Sequence, residues 1–341
     1  MKYVNTKAVK RIETYKVKGP SKETRKYLVP LSFGPSSTTL LYILDEQLRN
    51  QRERMNRTLY ELTVAHVDLE FEDEAAASRN NELWKAVQER FPTHTYTKIG
   101  IEDAFDLDID WSSLGLTLDT SLPRKEQLSA LLRQITTATS RADIASTLLT
   151  RLLTHLASAT SCTSILYGDS TTRLAEKTLT STAKGRGFSL PWAVSDGPSP
   201  FGMNIYYPMR DLLKKEIIQF TTFIEPPITD IMLPEQPLQI INTTSKSTTI
   251  EQLMTQYFAS VEESYPSIVA NVVRTGSKLL VPEVEEDSQR CGLCNMPVKK
   301  GEEGIYGWGG DQSSVSKARE GGGPSRTEGV LCYGCERSIN G

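Results

Sequence analysis

Apolar segments alternate with helical repeats of apolar and polar residues along most of the chain. Short apolar runs predict four β-strands, at residues 27–31, 62–67, 95–101 and 162–167. Apolar residues spaced three and four apart predict helices, at residues 36–54, 82–91, 125–157, 170–180, 210–222 and 250–273. Residues 183–204 are rich in Gly, Pro and Ser and predict an ordered loop. Strands that alternate with helices are typical of a parallel sheet covered by helices, so the predicted fold class is α/β.

Length and hydropathy exclude several classes of protein. A chain of 341 residues can form one large or two smaller domains. No apolar run approaches the roughly 18 residues that a membrane span requires, and no signal-peptide pattern opens the sequence. We therefore expect a cytoplasmic protein.

The net charge of −3 is unevenly distributed, because residues 1–27 form a basic arm. The arm contains nine basic residues against Glu13 and Glu23: Lys2, Lys7, Lys10, Arg11, Lys16, Lys18, Lys22, Arg25 and Lys26. A solubilising arm and a binding surface for a phosphate backbone are both compatible with this run. The second is favoured, because the arm adjoins a predicted nucleotide fold and includes Tyr3 and Tyr15.

Two C-x-x-C pairs lie near the C-terminus, at Cys291–Cys294 and Cys332–Cys335. Four thiolates in two tight turns suit tetrahedral zinc, although the 37 intervening residues exceed the usual spacing. Two disulfides or redox pairs are the alternatives, and the lack of a secretory feature argues against disulfides. We predict a structural zinc ribbon at residues 286–341. With four sulfur ligands, it has no open position for catalysis.

The remaining cysteine and the histidines have no spacing typical of a site. Cys162 stands alone at the start of a predicted strand, where a small buried side chain is expected. His66, His94 and His155 share no ligand spacing and are predicted to be structural.

The segment from Leu31 to Ser37 follows a predicted strand and opens a predicted helix, the arrangement that directs backbone N–H groups at a phosphate. Its spacing resembles the Ser-Gly-Gly-x-Asp-Ser loop of PP-loop ATP pyrophosphatases. The matching residues are Ser32, Phe33, Gly34, Pro35, Ser36 and Ser37. Phe33 replaces the first Gly and Ser36 replaces the Asp. We expect the Phe33 side chain to crowd the pyrophosphate position, so ATP binding is doubtful.

Later segments strengthen the resemblance to PP-loop tRNA-modifying enzymes. Residues 168–175, which include Asp169, occupy the place of that family's nucleotide-pocket segment after the fourth strand. Residues 184–187 and 208–217 resemble its basic loop and its Lys-Glu-Ile helix. Together with the cysteine ribbon, this order over residues 1–340 is similar to the family of partner subunits of the cytoplasmic tRNA 2-thiolation complex.

The resemblance implies a Rossmann-like PP-loop fold of the adenine nucleotide alpha hydrolase type at residues 28–285. It also implies a heterodimer with a catalytic PP-loop thiolase. By the same resemblance, that pair is expected to adenylate the wobble uridine of the lysine, glutamine and glutamate tRNAs with ATP, and to take sulfur from a thiocarboxylated ubiquitin-like carrier. Active relatives hold cysteines in regions that correspond to residues 139–151 and 220–230, where this chain has none. The resemblance therefore implies a non-catalytic subunit that binds tRNA.

The predicted tRNA contacts are basic residues of the arm and of the later loop and helix. They are Lys7, Lys10, Arg11, Lys16, Lys18, Lys22, Arg25, Lys184, Arg186 and Arg210. One alternative is an active ATP-dependent tRNA sulfurtransferase that uses its own degenerate loop. Another is a free-standing zinc-ribbon protein that binds RNA and has no role in thiolation.

Overall fold

A computed structural model describes most of the chain. The described residues are 2–15, 24–56, 58–234, 247–282, 288–298 and 330–340. Within them lie eight strands: β1 Arg25–Pro30, β2 Tyr60–Asp68, β3 Thr95–Gly100, β4 Ser164–Leu166, β5 Gly197–Pro198, β6 Asn204–Tyr206, β7 Gln289–Arg290 and β8 Pro297–Val298.

The helices alternate with the strands through the first two thirds of the chain, as the hydropathy pattern predicts. The α-helices of the described residues are α1 Lys2–Thr14, α2 Pro35–Met55, α3 Glu74–Arg90, α4 Arg124–Arg133, α5 Ala138–Ala159, α6 Thr171–Ala183, α7 Leu190–Val194, α8 Lys214–Thr221, α9 Ile250–Ser264, α10 Pro266–Gly276 and α11 Tyr333–Asn340. None of them is both long and apolar enough to cross a membrane.

Six strands form one sheet in the order β3-β2-β1-β4-β6-β5. All neighbours pair in parallel except β5 and β6, which are antiparallel. Side chains of a strand alternate between the two faces, so Leu28 packs in one core while Tyr27 and Val29 pack in the other. The predicted α/β fold class with a mostly parallel sheet is confirmed.

Each face of the sheet has its own set of helices. Side chains of α4 and α5 cover the Leu28 face, and the residues around the cysteines join this core. Side chains of α1, α2, α3 and α8 cover the opposite face. A third, smaller core joins β6 to α6, α7, α9 and α10.

Three local predictions differ from the structure. Residues 183–204 are not only loop, because α7 and β5 lie there and β6 begins at Asn204. Strands β5 and β6 have only two and three residues, which is too few to show the alternation of apolar and polar side chains that predicts a strand. Helix α3 begins at Glu74, eight residues earlier than predicted, because the Asp73 carboxylate caps the N–H groups of Ala75 and Ala76. The long helical region is two helices, α4 and α5.

The first part of the basic arm is a packed helix. Val4, Ala8 and Ile12 of α1 are buried at intervals of four residues, which places one stripe of the helix in the core. Strand β1 begins at Arg25, within the predicted arm. Lys16, Lys18 and Lys22 lie outside the described residues.

Candidate functional site

The degenerate nucleotide loop joins β1 to α2 at the edge of the sheet where parallel strands end. Gly34 occupies the N-cap position of α2, and Pro35 follows at the first helical position. The Ser37 hydroxyl donates to the Gly34 carbonyl (3.2 Å) and accepts from the Ser32 backbone N–H (3.3 Å). The Ser32 hydroxyl lies 3.1 Å from the hydroxyl oxygen of Ser37. The two serines that match the phosphate-binding motif are therefore bonded to each other and to the loop backbone.

Phe33 has a left-handed backbone conformation, with φ of 58°. This is the conformation that glycine adopts most readily. Its side chain is fully buried in the core, and its ring lies 4.6 Å from the His66 ring between centroids. The Phe33 ring therefore packs in the core beside His66. Its effect on ATP binding stays a prediction.

Restoring the motif at this position is expected to destabilise the protein. In Phe33→Gly, relief of the left-handed strain recovers about 1 kcal/mol, whereas loss of a buried aromatic side chain costs about 3–5 kcal/mol. We expect a net loss of about 3 kcal/mol in the free energy of unfolding, measured by urea titration. Phe33→Leu is the matched control and should lose less, because it keeps most of the buried apolar volume. Equal stability of Phe33→Gly and the wild type would contradict the packing role.

The segment after β4 abuts this loop. A Cβ atom on Gly168 would lie 2.6 Å from the Ser37 Cα atom, so only glycine fits at this contact. Asp169 forms an ion pair with Lys177 on α6. The structure thus brings Asp169 and the degenerate loop to the same edge of the sheet, as the motif order predicts, and the carboxylate is engaged within the chain.

His66 lies beneath the loop and fixes its backbone. Its Nδ1 atom is 2.8 Å from the Leu31 carbonyl oxygen, which can only accept, so Nδ1 carries the proton. Burial lowers the pKa of His66 from its ordinary value, despite this hydrogen bond. A neutral, structural imidazole agrees with the role expected from the sequence.

The four cysteines converge into one cluster. The sulfur atoms of Cys291, Cys294, Cys332 and Cys335 all lie within 4.8 Å of one another. The Cys294 and Cys332 sulfurs are 3.7 Å apart. A tetrahedral ion with metal–sulfur bonds of about 2.3 Å separates its sulfur ligands by about 3.8 Å. These four side chains therefore have the chemistry and spacing to hold one metal ion.

An ion-pair network lies directly against this cluster. The Nη1 and Nη2 atoms of Arg186 lie 3.5 and 3.6 Å from the Cys335 sulfur. The Nε atom of Arg186 donates to both carboxylate oxygens of Asp143, at 3.0 and 2.9 Å. Lys184 forms ion pairs with Asp143 (2.7 Å) and with Glu251 on α9. The Ser338 hydroxyl of α11 donates to Asp143 as well. Asp143 thus ties the cysteine unit, which consists of residues 288–298 and 330–340, to the body of the fold.

The charges of this network shift the pKa values of its members. Burial raises the pKa of Asp143, but Arg186 and Lys184 outweigh burial and hold it at about 2. Burial lowers the pKa of Arg186, whereas Cys335 and Asp143 together raise it well above its ordinary value. Asp143 and Arg186 are therefore both charged at neutral pH.

Close contacts at two glycines also hold the cysteine unit against the body of the fold. Gly185 has φ of +76°, and a Cβ atom there would lie 2.3 Å from the Tyr333 ring of α11. A Cβ atom on Gly334 would lie 2.7 Å from the Arg186 side chain. Arg151 of α5 donates to the Leu293 carbonyl (3.0 Å), between the first two cysteines. The cysteine unit is thus held by α5 and by residues 184–186.

Arg210 occupies a second buried ion-pair cluster. Its guanidinium donates to Asp196 (3.1 Å), and Arg11 of α1 pairs with the same carboxylate. Asp196 also accepts the Tyr207 backbone N–H at 2.7 Å. This carboxylate therefore attaches the basic helix α1 to the sheet.

The burial of three predicted tRNA contacts is at odds with binding phosphate. Only 10%, 12% and 5% of the Lys184, Arg186 and Arg210 side chains is exposed, and internal carboxylates bind all three. Sequence reasoning missed Asp143 and Asp196, because an isolated acid in a helix or loop carries no motif. A cation-rich loop in the sequence does not reveal that its charges are neutralised inside the fold.

The other arm residues within the described part of the chain are nearer to solvent. Lys10 is exposed, and Lys7 is half-buried with its ammonium group donating to the Asp211 carbonyl. Arg25 is half-buried and donates to the Tyr15 carbonyl (3.3 Å). The exposed basic surface of the described residues therefore includes α1.

Comparisons with known proteins agree with the geometry. The family model of cytoplasmic tRNA 2-thiolation protein 2 matches residues 249–337, which include all four cysteines of the cluster. The cytoplasmic tRNA 2-thiolation protein 2 of Phaeosphaeria nodorum is 47% identical over 99% of this chain and 88% of its own length. The protein of that name from Sclerotinia sclerotiorum is 53% identical over 80% of this chain and 74% of its own.

A solved structure shares the fold. It is the U34-tRNA thiolase NcsA from Methanococcus maripaludis with its [4Fe-4S] cluster. The match has a TM-score of 0.54 and 14% sequence identity, and covers 88% of this chain and 85% of that one. This likeness shows that the two chains share a fold. The sequence relatives show more: the chain belongs to the cytoplasmic tRNA 2-thiolation protein 2 family.

Proposed function

We propose that this protein is the non-catalytic subunit of the cytoplasmic complex that 2-thiolates the wobble uridine of tRNA. It binds tRNA and forms a heterodimer with a catalytic PP-loop thiolase. That partner transfers sulfur from a thiocarboxylated ubiquitin-like carrier to the lysine, glutamine and glutamate tRNAs. Membership of the tRNA 2-thiolation protein 2 family supports the pathway, and the state of the loop supports the division of labour.

The observation that carries the non-catalytic role is the self-bonded loop. The Ser32 and Ser37 hydroxyls bond within the loop, and Ser36 stands where active relatives have an Asp. Residues 139–151 and 220–230 contain no cysteine that could accept sulfur. Cys162 is buried, and its sulfur lies 3.2 Å from the Thr160 hydroxyl, which is not a base. The chain thus offers a scaffold for the reaction and no sulfur-transfer group.

We propose zinc as the metal of the four-cysteine cluster. An all-thiolate tetrahedral set suits zinc or iron, and the cluster is buried against the core with no fifth ligand among the described residues. When bound, such an ion supplies structure and not chemistry, because sulfur fills its four positions.

Reconstitution tests the division of labour. This chain and a catalytic PP-loop subunit are combined with tRNA, ATP and the sulfur donor, and 2-thiouridine is measured by mass spectrometry. We expect thiolation to require both subunits and to be unchanged by Ser36→Ala in this chain. Conversion of ATP to AMP by this chain alone with tRNA would instead support the active-sulfurtransferase alternative.

The arm is expected to contribute to tRNA affinity by neutralising phosphates. Reversing Lys10, Lys16 and Lys18 to Glu should weaken tRNA binding and flatten its dependence on salt, because each phosphate that is no longer neutralised reduces the logarithmic slope by about 0.7–0.9. Binding is measured by filter assay at two or more salt concentrations. The control is Lys125→Glu with Arg133→Glu on α4, which covers the opposite face of the sheet. Unchanged binding in the arm variant would remove the arm from the interface.

A further inference from the structure

A groove with a volume of about 540 Å³ lies between α1 and α10. Neither the residues of the degenerate loop nor the cysteines line it. Its floor is completed by the segment around Arg210 and Leu213, at the start of α8. The groove is separate from the nucleotide loop and the cysteine cluster, and it adjoins the ion pairs of Arg11 and Arg210 with Asp196.

Two helical stripes form the walls. Tyr3, Lys7, Lys10 and Thr14 recur at intervals of three or four residues along α1, so they share one side of that helix. Pro266, Ala270 and Arg274 do the same along α10. The small Ala270 side chain in the middle of the second wall leaves the groove open.

The groove carries uncompensated positive charge. Lys10 and Arg274 are exposed, and neither forms an ion pair with any residue that the structure describes. Lys7 donates to a backbone carbonyl, a neutral partner that leaves its charge in place. The lining also contains two acids: Glu216 accepts the Leu213 N–H (2.8 Å), a neutral partner, and Asp211 lies 3.8 Å from Arg11. Five basic residues against these two acids leave the lining with a formal net charge of +3.

An aromatic ring lies among these cations. The Tyr3 side chain is 52% exposed, and the Lys7 ammonium group lies 4.3 Å from the centre of its ring. Cations interleaved with an exposed aromatic ring are typical of surfaces that bind single-stranded nucleic acid, where bases stack and phosphates pair with basic groups. Paired bases cannot stack on such a ring, because they are stacked within their own helix.

We infer that the groove between α1 and α10 binds a single-stranded segment of tRNA. Tyr3 stacks one unpaired base, and Lys10 and Arg274 contact phosphates from opposite walls. This inference rests on the proposed function, since tRNA is the nucleic acid that the complex would hold. It assigns to α10 a contact that no sequence motif indicates.

The test uses the full chain with unmodified tRNA and measures affinity by fluorescence anisotropy. Arg274→Glu should weaken binding about tenfold and reduce the salt slope by about 0.7. Tyr3→Ala should weaken it about tenfold, whereas Tyr3→Phe should bind as the wild type does, because it keeps the ring. Lys125→Glu on α4 is the control for the change in net charge. An unpaired RNA oligonucleotide should compete with tRNA more strongly than a duplex of the same length.

The outcomes separate this inference from the proposed function. Absence of tRNA binding by the wild-type chain and by its complex would overturn the tRNA-binding role itself. Tight wild-type binding that Arg274→Glu and Tyr3→Ala leave unchanged would overturn the groove alone. Equal competition by duplex RNA would overturn the single-stranded assignment. Failure of Arg274→Glu to bind the thiolase subunit, with tRNA affinity intact, would overturn the inference by showing that a protein occupies the groove.

Discussion

Cys291→Ser is expected to abolish metal binding and to unfold the C-terminal unit. In small peptides, zinc binding to a structural site contributes a free energy of roughly 10–16 kcal/mol to folding. A variant that lacks one of the thiolates loses a large part of this contribution. Cys291, Leu293 and Cys335 are almost fully buried in the core that also contains Leu114 and Trp192. Loss of the unit should therefore lower the stability of the whole fold, which for natural domains is about 5–15 kcal/mol.

Metal content by mass spectrometry and thermal unfolding measure this effect. We expect one zinc ion per wild-type chain and none in Cys291→Ser, together with a much lower melting temperature. Cys162→Ser is the matched control: its sulfur is also buried in this core, but it is not one of the four clustered cysteines. Wild-type metal content in Cys291→Ser would show that the cluster is not a metal site. Iron in place of zinc would correct the identity of the metal while keeping the site.

Asp143→Asn should produce the second large effect. Only 2% of the Asp143 side chain is exposed, and it is the carboxylate that Lys184 and Arg186 share. Removing one partner from a buried ion pair leaves an uncompensated charge, which costs about 3–5 kcal/mol. Lys184 keeps Glu251 as a partner, so the loss falls mainly on Arg186, which keeps its contacts with the Cys335 sulfur but no carboxylate.

Chemical denaturation and a zinc-competition assay give two independent readouts for this variant. We expect a loss of about 3 kcal/mol in the free energy of unfolding and about tenfold weaker zinc binding, because Asp143 no longer holds Arg186 against Cys335. The control is Asp106→Asn, which breaks the exposed pair with Arg124 and should change neither quantity appreciably. Full stability of Asp143→Asn would contradict the role of the network as the joint between the cysteine unit and the body.

The state of the nucleotide loop was partly predictable. Its position between β1 and α2 follows from local pattern, since an apolar strand, a turn with Gly and Pro, and a helical repeat are all read within one segment. The direction of the Phe33 side chain was not predictable in this way. It depends on the left-handed backbone at this residue and on the space beside His66 of β2, which is distant in sequence.

For the basic residues, the sequence predicts the number of charges but not their partners in the fold. The excess of charge in residues 1–27 is visible in the sequence, but the pairing of Arg11 with Asp196 joins residues 185 positions apart. In the sequence, Lys184 and Arg186 are typical of a basic loop. In the fold, the Asp143 carboxylate of α5 forms ion pairs with both of them. The local sequence shows how many charged residues a segment contains. Only long-range contacts show which of these charges are neutralised.

Strand and helix order, the two C-x-x-C pairs and the altered phosphate loop all follow from local pattern, because each of these signals lies within a short segment of the chain. Which cations remain free, where the Phe33 ring packs, and which helix faces α1 across the groove depended on the packed fold. Those features arise from contacts between residues far apart in the chain. Such contacts leave no periodicity in the sequence, since each is satisfied by a single side chain at a single place.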